Sequence, residues 1–339
     1  MLNIKAFSIA LFSLALLFQG GTGYKVVGSY PIGGTGGFDY VTIDSSARRL
    51  YVSHATQVEV LDADSGKVVG TIPDTPGVHG AAIASAFKHG FTSNGRENKV
   101  SMFDPTTLAL IKKIDVGKGP DGIYYDPKTK RVFTNNHGTH DITAIDAATG
   151  DVVGTVEAKG DGEQAMIGAD DLIYVNSEDT AEVVAFDPKS LEVKKRFPIG
   201  VAKTPTGLAY DAKTNRLFIG CRTEPKMVVM DAATGKVINS FPIAAGVDYA
   251  GFDPDAHLIF FSCGSGTLSI YREKSADSYE DAGAVTTQPS AKTMAFDPKT
   301  KKIFLPAAEY TETPPAQPGG RPTRAMKPGS FAVLVVGKS

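Results

Sequence analysis

The chain has 339 residues, with 35 Lys plus Arg against 37 Asp plus Glu, 36 Gly, 20 Pro, two Cys and no Trp. Charge this balanced gives no field for gripping a phosphate backbone, which excludes nucleic acid as a main partner. Two cysteines exclude a covalent c-type haem motif, a cysteine-rich zinc site and a disulfide framework, leaving a globular protein long enough for two domains or one large all-β domain.

Met1 to Lys5 carry one positive charge, Ala6 to Phe18 form an apolar run, and Gly21-Thr22-Gly23 supply small residues behind it. This layout predicts a cleaved export signal over residues 1–23. The run is shorter than the roughly 18 to 20 apolar residues that span a bilayer. The cysteines, Cys221 and Cys263, lie too far along the chain to carry a lipid behind the signal. Residues 24–339 are therefore expected to form one exported domain, periplasmic or extracellular, with no stable membrane insertion.

The mature chain begins with a strand pattern, Lys25-Val26-Val27-Gly28-Ser29-Tyr30-Pro31. One unit then recurs about every 42 residues, a period that signals a solenoid or a propeller. It comprises a short apolar strand ending in Asp, a turn, a strand of the type Arg-Leu-Tyr-Val, an alternating apolar strand, a Thr-Gly turn and a Lys-Val-Val strand. First strands are predicted at Asp39 to Asp44, His79 to Ala84, Asp121 to Asp126, Glu163 to Gly168, Thr206 to Asp211, Asp248 to Asp253 and Lys292 to Asp297. Alternation such as Val58, Val60 and Val228, Met230 marks strands with one face buried.

Turn chemistry fits the same division. Asp62-Ala63-Asp64-Ser65-Gly66, Asp146-Ala147-Ala148-Thr149-Gly150 and Asp231-Ala232-Ala233-Thr234-Gly235 place an acceptor first and a Gly last, as the outer hairpin of each unit requires. In the sixth unit Tyr271-Arg272-Glu273-Lys274-Ser275 replaces that turn. The seventh unit has strands at Ile303 to Leu305 and Phe331 to Val336 and then stops without a fourth. Lys25 to Pro31 matches the fourth strand Lys67 to Pro73 position for position, so the N-terminus is expected to complete the last unit. Ring closure removes exposed strand edges. The expected fold is an all-β, seven-bladed β-propeller of four-stranded antiparallel blades. Glu309 to Ser330, rich in Pro with Arg321, Arg324 and Lys327, is expected as a long irregular loop over the functional rim.

Leu50-Tyr51-Val52-Ser53, Ile173-Tyr174-Val175-Asn176, the Asp-x-x-Thr-Gly-Lys turns and the Gly-x-x-Pro-x-Gly segment at Gly117 to Gly122 resemble the YVTN-repeat propellers, a YncE-like group. The resemblance covers essentially the whole mature chain and implies the same fold. It implies no single activity, because propellers host binding proteins, lactonases and lyases alike.

In such a meander the entries of the first strands and the ends of the second strands meet on one rim of the channel. The entries supply Asp39, His79, Asp121, Glu163, Thr206, Asp248 and Lys292. The second-strand ends supply His54, Asn94, Arg96, Asn136, His137, Glu178, Cys221 and Arg222. Four acids, Asp39, Asp121, Glu163 and Asp248, would repel one another in a funnel unless a cation or nearby arginines compensate. They are candidate ligands for a divalent cation such as calcium or magnesium, while His54, His79 and His137 suit zinc. His89 and His257 fall on the opposite rim. Cys221 and Cys263 are expected as buried, unbridged thiols.

Two functional readings follow. In the first, an exported binding or scaffold protein uses the rim for a small molecule, a metal or an envelope protein partner, with His54, Asn94, Arg96, Asn136, Glu178, Cys221, Arg222, Asp248 and Lys292 as contacts. In the second, a metal-dependent hydrolase or lyase of the lactonase-like propeller type uses His79, Glu163 and Asp121 for proton transfer.

Overall fold

Six repeats each fold into a four-stranded antiparallel sheet whose strands run outward from the axis in chain order, and the seventh sheet takes its outermost strand from the N-terminus. The computed structural model describes residues 21–313 and 323–338. The predicted export signal up to residue 20 and the middle of the Pro-rich segment lie outside the described residues. Innermost strands are Val41–Asp44, Val78–Ala84, Pro120–Asp126, Gly162–Ile167, Lys203–Asp211, Val247–Asp253 and Ala295–Phe296. They define blades 1 to 7, each within a few residues of its predicted place.

Blade 7 is built from both ends of the chain. Ala295–Phe296, Ile303–Ala307 and Ala332–Lys338 are followed outward by Tyr24–Pro31, paired antiparallel with Tyr24 opposite Lys338 and Pro31 opposite Ala332. Two tyrosines anchor this closing strand. Tyr24 packs edge-on against Phe260 of blade 6 at 5.2 Å and its hydroxyl donates to the Lys301 carbonyl at 3.0 Å. The Tyr30 hydroxyl donates to the Ala63 carbonyl in the outer turn of blade 1 at 3.1 Å. Its ring lies under Gly66 (φ +72°), where a Cβ would sit 2.1 Å from the ring, so Gly is required there.

Apolar side chains from the middle strands fill the wedges between blades. Tyr51, Val58, Val60 and Ile72 of blade 1 meet Val78, Ala81 and Phe103 of blade 2, for example. The turns carry their own fasteners. Asp62 Oδ1 accepts from the Ser65 amide at 2.7 Å, and Asp146 Oδ1 from the Thr149 amide at 3.0 Å. Between blades 7 and 1, fully buried Asp297 accepts from Ser45, Thr300 and Arg48, each at 2.6 Å. Burial alone would raise this carboxyl, but those bonds outweigh it and hold it at about 2.

Two regions depart from the expected pattern. The segment read as an irregular loop contains a two-stranded ribbon, Tyr310–Thr313 against Thr323–Met326. Arg324 lies over the Tyr310 ring at 4.7 Å and pairs with Glu312 at 3.2 Å. In blade 6 the altered turn sequence lengthens the outer hairpin to Thr267–Ser275 and Ser278–Thr286. This draws Glu273 inside: Oε1 accepts from the Thr214 hydroxyl at 2.8 Å, whereas Oε2 has no hydrogen-bond partner among the described residues and faces only His257 Nδ1 at 3.9 Å. Burial, reinforced by neighbouring Asp211, pushes Glu273 up to about 7.

Removal of Tyr24 to Pro31 deletes a whole strand and exposes the edge of blade 7. The truncated protein is expected to aggregate or lose cooperative unfolding, as read by light scattering and thermal melts; a monomer with the wild-type melt would contradict closure. Glu273 has a folded pKa above its unfolded value, so its favourable contribution is complete at low pH and is lost as pH rises from the ordinary glutamate range through about 7. Glu273→Gln should therefore melt higher than wild type above pH 7 and show a flatter decline between pH 5 and 7. An unchanged slope would remove Glu273 as its cause.

Candidate functional site

The channel mouth is shaped by a repeated irregularity. Five innermost strands break register at their entry, between Val78 and Ala81, Pro120 and Ile123, Gly162 and Ala165, Pro205 and Gly207, and Val247 and Tyr249. These bulges contain His79, Asp121, Glu163, Thr206 and Asp248. A bulge unpairs one residue and re-aims its side chain, here toward the axis. The strands also crowd one another: a Cβ on Gly122 would lie 2.7 Å from the Glu163 carbonyl oxygen, and one on Gly207 would lie 2.9 Å from the Tyr249 carbonyl carbon.

Backbone groups freed by the bulges and strand entries are taken up by the penultimate residues of the second strands. Asn135 Nδ2 donates to the Glu163 carbonyl at 2.7 Å, Asn176 Nδ2 to the Gly207 carbonyl at 2.7 Å, and the Ser262 hydroxyl to the Lys292 carbonyl at 2.6 Å. Ser53 Oγ accepts from the Asp39 amide at 2.7 Å and Ser93 Oγ from the Gly80 amide at 3.1 Å. The Ser or Asn of the repeat motif is thus a bracket between strands, most often linking one blade to the next, and it satisfies groups that would be costly to bury alone.

On this frame the ionisable ring forms a chain of ion pairs. Lys292 bridges Asp39 at 3.0 Å and Asp248 at 2.6 Å. Arg222 pairs with the other Asp248 oxygen and reaches Glu178 at 3.2 Å. His79 Nδ1 lies 2.8 Å from Asp39 Oδ2 and 3.2 Å from Asp121 Oδ2, and His137 Nδ1 stands 3.8 Å from Asp121. Glu163 accepts from the Tyr40 hydroxyl at 3.0 Å.

Burial would raise Asp39, but Lys292 and His79 outweigh it and hold this carboxyl below its ordinary range. Asp121 goes the other way, raised by burial more than His79 lowers it. Glu163 is raised well above the usual range by burial, the charge of Asp121 and the neighbouring carboxyl of Glu178. Lys292 is raised because Asp39 and Asp248 overcome the effect of burial. The repulsion expected of four acids is therefore relieved by partners within the protein, and the burial that raises Glu163 favours its neutral form.

The four acids do not meet at one point. Asp39, His79 and Asp121 offer atoms within 4.8 Å of one another, while Asp248 is engaged by Lys292 and Arg222 and Glu163 by Tyr40. Above them opens a cleft of about 650 Å³ lined by Phe38, His79, Arg96, Asp121, His137 and Lys292 among others. A separate small cavity beside Glu163 is lined by Tyr40 and Tyr249, whose rings are 5.9 Å apart, and by Gln164, whose Oε1 accepts from the Leu208 and Ala250 amides at 2.8 and 2.9 Å.

A model of YncE-like β-propellers matches residues 75–280, more than half of the chain. The chain belongs to this family. A YncE protein of Salmonella typhi, described as uncharacterized, is 26% identical over 152 residues, and so is its counterpart from Salmonella typhimurium. The match covers 41% of this chain and 42% of each relative. Among solved structures, one of Kuenenia stuttgartiensis hydrazine synthase aligns with a TM-score of 0.71 at 17% identity, covering 83% of this chain and 95% of that one. A chain of the mitotic checkpoint complex aligns at 0.74 and 14% identity, covering 90% and 95%. At such identities the likeness is one of fold.

In this YncE-like propeller, four residues expected at the rim face into the blades. His54 is buried against Phe331 and lies 3.0 Å from the Thr35 carbonyl. Asn94 and Asn136 are fully buried, donating to Ser101 at 2.8 Å and Thr143 at 2.9 Å. Cys221 and Cys263 are free and buried, and burial pushes each thiol up to about 12, away from nucleophilic chemistry. Arg96 and Lys292 line the cleft, and Asp248, Arg222 and Glu178 join it through the ion pairs that run on from Lys292. Tyr40 and Gln164, which follow ring residues Asp39 and Glu163, line the adjoining cavity and were missed by sequence reading; only their place beside ring positions marks them.

Proposed function

We propose that this protein is an exported binding protein that holds a small anionic molecule, bearing carboxylate or phosphate groups, at the mouth of its channel. The layering of charge carries this reading. The Lys292 and Arg222 side chains are 40% and 39% exposed, whereas Asp39 and Asp248 beneath them are 17% and 7% exposed. Arg96 is exposed on the same rim. A ligand arriving from solvent meets cationic donors first, and the acids serve to orient them. Guanidinium and ammonium groups held this way form charge-assisted bonds with carboxylates and phosphates. The cleft volume suits a small molecule.

Binding fits better than nucleophilic catalysis. The mouth serines Ser53, Ser93 and Ser262 are hydrogen-bonded to backbone groups, and the nearest thiol, Cys221, is buried. Export, supported by the first 23 residues, would present the cleft to solutes outside the cytoplasm.

Calorimetric titration of metal-free protein with dicarboxylates and sugar phosphates, and with diamines and neutral sugars for comparison, tests the reading. Anions are expected to bind, more weakly as salt rises. Arg96→Ala should lose about tenfold in affinity, with a larger loss in Arg222→Ala, while Lys128→Ala on the opposite face changes nothing. Binding confined to amines or neutral sugars would overturn it.

A further inference from the structure

His137 poses a problem that the ion-pair chain leaves unsolved. Its Nε2 lies 2.9 Å from the Gly162 carbonyl oxygen, a contact that requires the proton on Nε2. In the neutral ring, Nδ1 then carries a lone pair, and it faces Asp121 Oδ2 at 3.8 Å, acceptor toward acceptor. Asp121 Oδ1 is buried and has no hydrogen-bond partner among the described residues. On the other side of Asp121, His79 Nδ1 lies 3.2 Å from Oδ2 and 2.8 Å from Asp39 Oδ2. Asp39 has its other oxygen fixed by Lys292 at 3.0 Å, which leaves Oδ2 turned toward His79.

We infer that Asp39, His79, Asp121 and His137 form a binding site for a transition-metal dication at the base of the mouth. Two imidazole nitrogens and two carboxylates are a mixed donor set suited to zinc and its neighbours rather than to calcium or magnesium, which favour oxygen alone. Bonds of about 2.0 to 2.2 Å in a tetrahedron separate ligand atoms by about 3.3 to 3.6 Å. Within the triad, His79 Nδ1 lies 2.8 and 3.2 Å from the two carboxylates, just below that range, whereas His137 Nδ1, 3.8 Å from Asp121, stands outside the group of atoms within 4.8 Å of one another and completes the set only by moving inward on binding. His79 and His137 reach the site from different blades, and His137 approaches the compact triad of Asp39, His79 and Asp121 through Asp121.

The surrounding contacts also match a metal centre. A ligating histidine ordinarily donates its other ring N–H to a carbonyl or carboxylate, and His137 donates to Gly162 in that way. Lys292 plays the corresponding part for Asp39. A metal held here would replace the proton that His79 shares with the two carboxylates and would place a second positive centre beneath the cationic rim. The inference stands on this donor geometry and does not need the anion reading.

The test uses the mature protein freed of metal by a chelating resin. Titration with Zn²⁺ should show one equivalent bound at micromolar concentration or tighter, and Co²⁺ should give the visible bands of a four- or five-coordinate site. His79→Ala and His137→Ala should each weaken zinc binding about 100-fold or more. His140→Ala should bind like wild type; it removes a residue of the separate surface group with Asp161 and Asp179. Circular dichroism and melting of the metal-free variants establish that they fold. Wild type that takes up no zinc, uptake unchanged in both His79→Ala and His137→Ala, or loss in His140→Ala alone would each overturn the assignment. Anion binding by metal-free protein, measured as above, reports separately on the proposed function.

Discussion

Crowding at the propeller axis forces the arrangement of the mouth. Glycines such as Gly122 and Gly207 let neighbouring innermost strands approach to distances that any side chain would block. The entry bulges then turn the adjoining ionisable groups inward. Leaving several carboxylates charged there without partners would cost several kcal/mol each. Lys292 and Arg222 are each held between two acids, His79 lies between Asp39 and Asp121, and burial favours the neutral form of Glu163. Because the acids lie deeper than the lysine and arginine, they orient these cations toward solvent. The chemistry of the mouth is thus a consequence of packing seven strand entries around one axis.

That packing depends on closure and on the brackets between strands. Tyr24 and Tyr30 tie the N-terminal strand to blades 6 and 1, and Asp297 with Arg48 locks the same seam on the opposite face. Asn135 and Asn176 each hold the neighbouring entry at the distance set by one hydrogen bond. The ring residues therefore stand on strands fixed from two sides. Such a frame preorganises charged groups without asking a ligand to order them.

The repeat, its seven units and the closing strand were legible because each rests on local pattern: alternation, Asp-x-x-Thr-Gly turns and the match between Lys25 to Pro31 and Lys67 to Pro73. Site residues were harder to read because side chains alternate along a strand and a one-residue shift reverses the face. At the end of the second strands, Ser53, Ser93, Asn135 and Asn176 bracket neighbouring strands. The next residues, His54, Asn94, Asn136 and Cys221, turn into the blade, and those after them, His137, Glu178 and Arg222 in three blades, face the mouth. Nothing in composition gives that phase. The bulges were equally hidden, so sequence could gather Asp39, Asp121, Glu163 and Asp248 on one ring without showing that Lys292 and Arg222 divide them. Glu273 entered the interior through a hairpin whose turn sequence had changed, a signal of altered geometry but not of burial.

The claim that cations and buried acids stabilise one another at the mouth is tested most directly by a double-mutant cycle on the Lys292–Asp248 pair. Urea unfolding of wild type, Lys292→Met, Asp248→Asn and the double variant gives the coupling free energy. Each single change should destabilise by about 1 kcal/mol or more, and the double variant should fall short of their sum by at least about 0.7 kcal/mol, because each single change strips one partner from a charge that the double variant removes with it. Losses that add to within about 0.5 kcal/mol would show that the two side chains are independent and would contradict the charge-compensated ring.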